Sequence, residues 1–238
     1  MLFGMVNTLS GCPIDAELIA SLNAGTCGDP FAVLGRHKFG RSSWLTAMDQ
    51  GADRLEAIIA GKAYPLDRVD GVVFSGKVPA RGSYELRGHD AQGGQWTYQD
   101  AYAFGPVFSD LDEHLLGEGK HNFLWEVLGA HVIKLGRVPG THFAVWAPNA
   151  QRVSVVGAFN GWDGRRHMMR RRGGSGVWEI FIPNLEVGTA YKYEIVAPDG
   201  TLLPQKADPV GFGAEHPPAT ASVVRDISTH QFQFTKCI

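Results

Sequence analysis

Between residues 43 and 98 the chain is cut into short apolar-rich runs by turn sequences at roughly ten-residue spacing, and this rhythm limits the possible folds more than any other feature. The runs are 43–48, 55–59, 71–77, 83–87 and 95–98. Asp49-Gln50-Gly51, Gly61-Lys62, residues 79–82 and Gln92-Gly93-Gly94 separate them. Runs this short read as strands, because a helix needs about ten residues or more to bury a face. Short strands joined by frequent turns predict an all-β sandwich or barrel. The 30 glycines and 13 prolines suit that many turns.

Two helical segments interrupt the pattern. Residues 15–23 place Leu18, Ile19 and Leu22 on one face, with Asp15 to cap the start and Gly25 to end it. Residues 109–116 open with a cap-like Ser109 and Asp112 pair, and 122–128 reads as a further helical turn. Strand patterns return at 141–146, 152–156, 177–182 and 190–196, with a turn at Asp199-Gly200 and a closing strand at 219–224. The expected fold is mostly β: two tandem immunoglobulin-like β-sandwiches joined by a short helical connector. The expected divisions are a helical lead-in (1–28), a first sandwich (29–106), the connector (107–133), a second sandwich (134–226) and a tail (227–238).

Composition removes several classes of function. Twenty-two basic and 24 acidic residues leave a net charge of −2, which argues against a nucleic-acid or anionic-membrane partner. No apolar run approaches the roughly 18 residues of a membrane span. Residues 1–12 lack the basic segment and long apolar core of a secretory signal. Cys12, Cys27 and Cys237 are odd in number and far apart, which fits reduced thiols in the cytoplasm. The histidines and cysteines show no metal-ligand spacing, there is no phosphate-binding glycine loop and no G-x-S-x-G, and no cofactor is expected.

The most informative stretch for function is Val-Ser-Val-Val-Gly-Ala-Phe-Asn-Gly-Trp-Asp at 153–163. Asn160-Gly161 is a strong hairpin signal, since both residues tolerate positive φ. Trp162 follows it with no apolar partner in the adjacent sequence. An exposed indole there can stack on the apolar face of a sugar ring; alternatively Trp162 packs back over its own hairpin as core. Asn160 reads more readily as a turn former than as a ligand.

These residues, with Thr141-His142-Phe143-Ala144-Val145-Trp146-Ala147-Pro148-Asn149-Ala150, Gly176-Val177-Trp178-Glu179, Tyr191-Lys192-Tyr193-Glu194-Ile195 and Lys206-Ala207-Asp208-Pro209, closely resemble the glycogen-binding module of bacterial 1,4-α-glucan branching enzymes. Asp29-Pro30-Phe31-Ala32-Val33-Leu34-Gly35-Arg36-His37, Gly71-Val72-Val73-Phe74 and Asp100-Ala101-Tyr102-Ala103-Phe104-Gly105-Pro106 resemble the extra N-terminal domain of the same enzymes. The resemblance implies a retaining transfer that cuts an α-1,4 chain and rejoins it as an α-1,6 branch. It also implies a (β/α)8 barrel after the glycogen-binding module, carrying an Asp nucleophile and a Glu acid/base about 5–5.5 Å apart. No Asp-x-x-x-Asn-His and no Gly-Phe-Arg-x-Asp occurs here, so no catalytic residue is assigned and the chain is expected to lack the barrel and to be inactive alone.

The resemblance further implies a sugar platform of two Trp residues and a Lys. Trp162 matches the first Trp and Lys192 the Lys, whereas Thr201-Leu202-Leu203 stands where the second Trp is expected. Thr220 either donates to a sugar hydroxyl or is a buried strand hydroxyl. The expected partners are an α-1,4-glucan such as glycogen and the catalytic barrel.

The remaining aromatic and basic residues have plainer expectations. Trp44, Trp96, Trp125, Trp146 and Trp178 are expected in cores. The arginine-rich run 165–172 is expected to be a solvated hairpin and loop, or a face for acidic residues of the barrel. Three readings of function follow: a non-catalytic part of a branching enzyme, a stand-alone glucan-binding module, or a structural domain that docks on the barrel.

Overall fold

The computed structural model describes residues 14–228. Helix α1 (Ala16–Ala24) begins at Asp15, whose side chain accepts from the Glu17 amide, and ends at Gly25 in the left-handed conformation. Ile19 and Leu22 are its buried residues, as the spacing predicts. Strands β1 (Gly35–Phe39), β2 (Ser42–Met48), β3 (Arg54–Ile59), β4 (Lys62–Asp70), β5 (Val73–Val78), β6 (Tyr84–His89) and β7 (Gln95–Tyr98) follow. Helix α2 (Asp110–Gly117) starts in a capping box between Ser109 and Asp112. The second module holds β8 (Gly129–Leu135), β9 (Val138–Trp146), β10 (Arg152–Val156), β11 (Arg170–Arg172), β12 (Val177–Pro183), β13 (Ala190–Val196) and β14 (Ser222–Val223). The molecule is mostly β, as expected. No helix among the described residues is long and apolar enough to cross a membrane.

The first module is one seven-stranded antiparallel sheet, ordered β1-β2-β5-β4-β3-β6-β7. Strand β4 joins its halves: Lys62 to Leu66 pair with β3, then Asp67 to Asp70 pair with β5 across a register shift. Gly76 allows the close approach there, since a Cβ would lie 2.6 Å from the Pro65 carbonyl oxygen. The sheet folds over a core of Leu45, Leu55, Ile59, Leu66, Phe74 and Leu86. Strand β4 is shared by the two halves that cover this core, and it has only Leu66 buried, so it carries no apolar alternation to be read from sequence.

The second module is a sandwich of sheets β11-β12-β9-β8 and β10-β13-β14. Phe143, Val145, Val153, Val155, Trp178, Ile180, Tyr191 and Tyr193 fill the space between them. Strand β8 begins at Gly129, inside the stretch assigned to the helical connector. The expected closing strand 219–224 shortens to Ser222–Val223. Trp178 is core, but Trp146 is 56% exposed and Trp125 50% exposed. Trp146 alternates with Phe143 and Val145, so it points out of the sandwich, and its indole donates to the Ser175 carbonyl at 3.0 Å.

The two modules are joined by the arginine-rich run 165–172, expected to be a solvated hairpin and loop or a face for acidic residues of the barrel. Met168 and Met169 are fully buried. The Arg170 guanidinium lies 3.7 Å from the Phe31 ring centroid and donates to the Phe104 carbonyl. The Tyr102 hydroxyl accepts from the Met168 amide at 3.0 Å. Glu179, 2% exposed, accepts from the amides of Val107 (2.9 Å) and Phe108 (2.8 Å) and pairs with His142 at 2.9 Å. Burial would raise the Glu179 carboxyl, but the His142 bond and the two amides outweigh it and hold it below the ordinary value.

A carboxylate lowered in this way stabilises the fold above its unfolded pKa, and that stability is lost as pH falls through the folded value. Glu179→Ala strands His142, the buried Phe108 amide and the part-buried Val107 amide, and is expected to cost roughly 3 kcal/mol in urea unfolding at pH 7. An unchanged midpoint would remove Glu179 as the clamp of the connector.

Candidate functional site

The loop after β10 is built around Asn160. A 3-10 turn (Ala158–Asn160) leads into Gly161 at φ 66° and Trp162 at φ 59°. Asn160 is 2% exposed, and its carbonyl oxygen accepts from the Gly157 amide at 3.0 Å. Its amide nitrogen donates to the Val155 carbonyl at 2.8 Å and to His167 Nδ1 at 2.9 Å. With its side chain turned inward and spent on protein atoms, Asn160 is the turn former and not a surface ligand. The segment is not a two-residue hairpin: two consecutive left-handed residues close a 3-10 turn and throw the indole outward. Trp162 is 40% exposed, so the alternative of a core indole falls.

The left-handed conformation of a non-glycine residue costs about 1–2 kcal/mol, so neighbours must hold it. The Trp162 amide donates to the Gly157 carbonyl at 2.9 Å. Arg165 grips Asp163 through Nη2 at 2.7 Å, and this hydrogen bond is the main cause that holds the Asp163 carboxyl below its usual range. Arg152, 3% exposed, donates to the Gly164 carbonyl at 3.2 Å and to Glu194 at 2.8 Å, which ties the loop to β13.

Trp162 shares a depression of about 320 Å³ with Glu194, Gly200, Leu202, Arg165 and the end of α1 at Ala24 to Thr26. Leu202 is 58% exposed and stands opposite Val196 across an isolated bridge. An apolar side chain therefore flanks Trp162 where the resemblance led to a second Trp. Lys192 precedes Glu194 by two residues on β13, hence on the same outer face about 6.6 Å along the strand. Its Nζ donates to Thr220 Oγ1 at 2.7 Å. Thr220 lies outside the shortened β14 and is exposed, so it is not a buried strand hydroxyl. The structure thus brings Trp162, Lys192 and Thr220 to one face, adds Leu202 and Glu194, and turns Asn160 away from it. Glu194 and Arg152 escaped sequence reading because their alternation in β13 and β10 resembles any polar strand face.

His167 is pushed down to about 4 by burial and by the neighbouring Arg166, so near neutral pH it is uncharged and its Nδ1 accepts from Asn160. The loop therefore rests on a neutral imidazole.

An outward indole beside an apolar side chain, with an ammonium and a hydroxyl on the outer face of an immunoglobulin-like sandwich, is an arrangement suited to carbohydrate binding. In agreement, the family "Carbohydrate-binding module 48 (Isoamylase N-terminal domain)" matches residues 127–211. The family "alpha-1,4-glucan branching enzyme GlgB, N-terminal domain" matches residues 15–102. The chain is 56% identical over 221 residues to the 1,4-alpha-glucan branching enzyme GlgB of Roseobacter denitrificans, covering 90% of this chain and 30% of that protein. It is 48% identical to the GlgB of Mesorhizobium japonicum over 91% of this chain and 30% of that protein. A pullulanase structure from Anoxybacillus sp. LM18-11 aligns at a TM-score of 0.36 and 16% identity, over 84% of this chain and 28% of that one. The chain corresponds to the N-terminal, two-module portion of GlgB-type 1,4-alpha-glucan branching enzymes. It spans about 30% of the length of the curated relatives it matches.

Two expectations follow for the loop. Trp162→Gly relieves the left-handed strain while removing the indole, so it is expected to be about 1 kcal/mol more stable than Trp162→Ala in urea unfolding. Equal stabilities would show that the backbone carries no strain. For His167, a folded value of about 4 against 6.5 means that its contribution is complete above pH 6.5 and lost as pH falls through about 4. Stability measured from pH 7 to 4 is expected to fall by up to about 3 kcal/mol from this group, and His167→Gln to flatten that part of the profile. An unaltered profile would contradict the neutral-imidazole support.

Proposed function

We propose that the chain is the non-catalytic front of a cytoplasmic 1,4-α-glucan branching enzyme. In this reading the second module holds α-1,4-glucan chains such as glycogen, and both modules position the catalytic barrel. The observation that carries the reading is the outward Trp162 indole, fixed on a braced loop beside Leu202 and in line with the Lys192–Thr220 pair. An indole presents a flat apolar face to a glucose ring, while the ammonium and hydroxyl meet its hydroxyl groups. With Leu202 in place of a second aromatic, one stacking face is lost and the affinity of the isolated chain is weak.

The connector side of the second module supports the positioning role. Phe123 is 55% exposed, and Trp125 lies edge-on to it at 5.4 Å. This exposed aromatic pair, and separately the outward Trp146 of β9, offer apolar surface suited to packing against a following domain.

Affinity electrophoresis in gels with and without glycogen tests the reading, alongside iodine-stained branching of amylose. Glycogen is expected to retard the chain without branching, Trp162→Ala to weaken binding about tenfold, and Lys192→Ala to weaken it less. Mobility unaffected by glycogen would contradict glucan binding, and branching by the chain alone would contradict its non-catalytic role.

A further inference from the structure

The back of the Trp162 loop forms one wall of a second, larger opening, a cleft of about 480 Å³ between the two modules. Trp96, Tyr98, Gln50 and Gln99 line it from the first module, and Phe159 and Arg166 from the second. Its size lies within the usual range of small-molecule sites, roughly 300–1,000 Å³.

The aromatic wall is set before any ligand arrives. The Trp96 indole lies flat on β6 because Gly88 has no side chain; a Cβ there would sit 2.4 Å from Trp96 Cε2. Its Nε1–H donates to Asp49 Oδ2 at 3.1 Å, and the Tyr98 hydroxyl donates to the same oxygen at 3.0 Å. The amides of Gly51 (2.9 Å) and Ala52 (3.1 Å) occupy the other Asp49 oxygen. This carboxylate is therefore spent on holding the rings, and a ligand meets preorganised aromatic surface.

The polar groups are the opposite case. Gln50 Nε2 and Gln99 Oε1 are buried and have no hydrogen-bond partner among the described residues. Leaving a buried amide atom unpaired is costly, and rotation of either side-chain amide toward the cleft would let an occupant that both accepts and donates satisfy it. A sugar hydroxyl does both. Charge points the same way: the lining carries one acidic and one basic side chain, Asp49 and Arg166, and His167 is uncharged near neutral pH, so the cleft favours a neutral ligand over an anion.

We propose that this inter-module cleft is a second carbohydrate site, taking a neutral hexose unit of an α-glucan chain between Trp96 and Phe159, with Gln50 and Gln99 reading its hydroxyls. The choice of α-glucan among neutral polyols rests on the function proposed above. The site is distinct from the Trp162 platform and is held by both modules.

Titration with maltotriose, followed through the indole N–H signals of the tryptophans, tests it. Trp96→Phe and Trp162→Phe assign the two signals. In the Trp162→Ala chain the Trp96 signal is expected still to shift and saturate. Gln99→Leu is expected to weaken that response at least fivefold without lowering stability in urea, because it removes an unpaired amide rather than a bond. A purely structural glutamine would not give that split. Movement of the Trp162 signal with Trp96 silent would overturn the cleft site and leave the platform standing. Movement of Trp96 with Trp162 silent would support the cleft and overturn the platform. Silence of both would overturn both, and an unweakened response in Gln99→Leu would overturn the assignment of hydroxyl reading to this residue.

Discussion

Glu179 is a carboxylate almost sealed from water, and the architecture of the whole chain depends on how it is satisfied. It lies on the outer face of β12, where His142 from β9 and the amides of Val107 and Phe108 converge on it. Those amides belong to the start of the connector, so the carboxylate fixes where the connector crosses the second module. Arg172 bonds Asp110 at 3.1 Å and lies within 3.4 Å of Glu179, while Arg170 reaches across to Phe31 and Phe104. Buried charge is costly unless every partner is present. Glu179 Oε2 carries the three hydrogen bonds, while Oε1 faces Arg172 without one, so the junction is held by these specific polar contacts together with the Arg170 contacts to Phe31 and Phe104.

The Trp162 face is tied to the same junction. The run holding Arg170 and Arg172 also holds Met168, buried among the apolar residues of the first module, and His167, bonded to Asn160. The base of the Trp162 loop is thus anchored in the module junction, and its tip is tied to β13 through Arg152 and Glu194. The sugar contact proposed for the tip needs only a flat ring, an apolar neighbour and two polar groups. Keeping them in place takes a buried asparagine, a neutral imidazole and a strained backbone. The same loop walls the inter-module cleft, so the two surfaces facing sugars in this account share one support.

Much of this was legible in the sequence where burial alternates. Strands β10 and β13 and helices α1 and α2 follow from apolar spacing and caps. Strands β1 and β4 were not legible: Gly-Arg-His-Lys-Phe and the Pro65-containing β4 bury almost nothing, and their pairing is set by neighbours far along the chain. The arginine-rich run looked solvated because charge normally is; only the fold reveals that Phe31, Phe104, Asp110 and Glu179 await it. Trp146 and Trp125 looked like core because large aromatics usually are. The Trp162 face was legible through the motif around it. The cleft was not, since its walls come from residues 48–50, 96–99, 159–167 and 182–185, which no local pattern joins.

Calorimetric unfolding of the chain with and without a maltosaccharide tests the central claim that two welded modules present a glucan-binding face. The account predicts a single transition, with equal calorimetric and van't Hoff enthalpies, that moves upward as a whole with ligand. Two transitions, of which the ligand moves only one or neither, would contradict it.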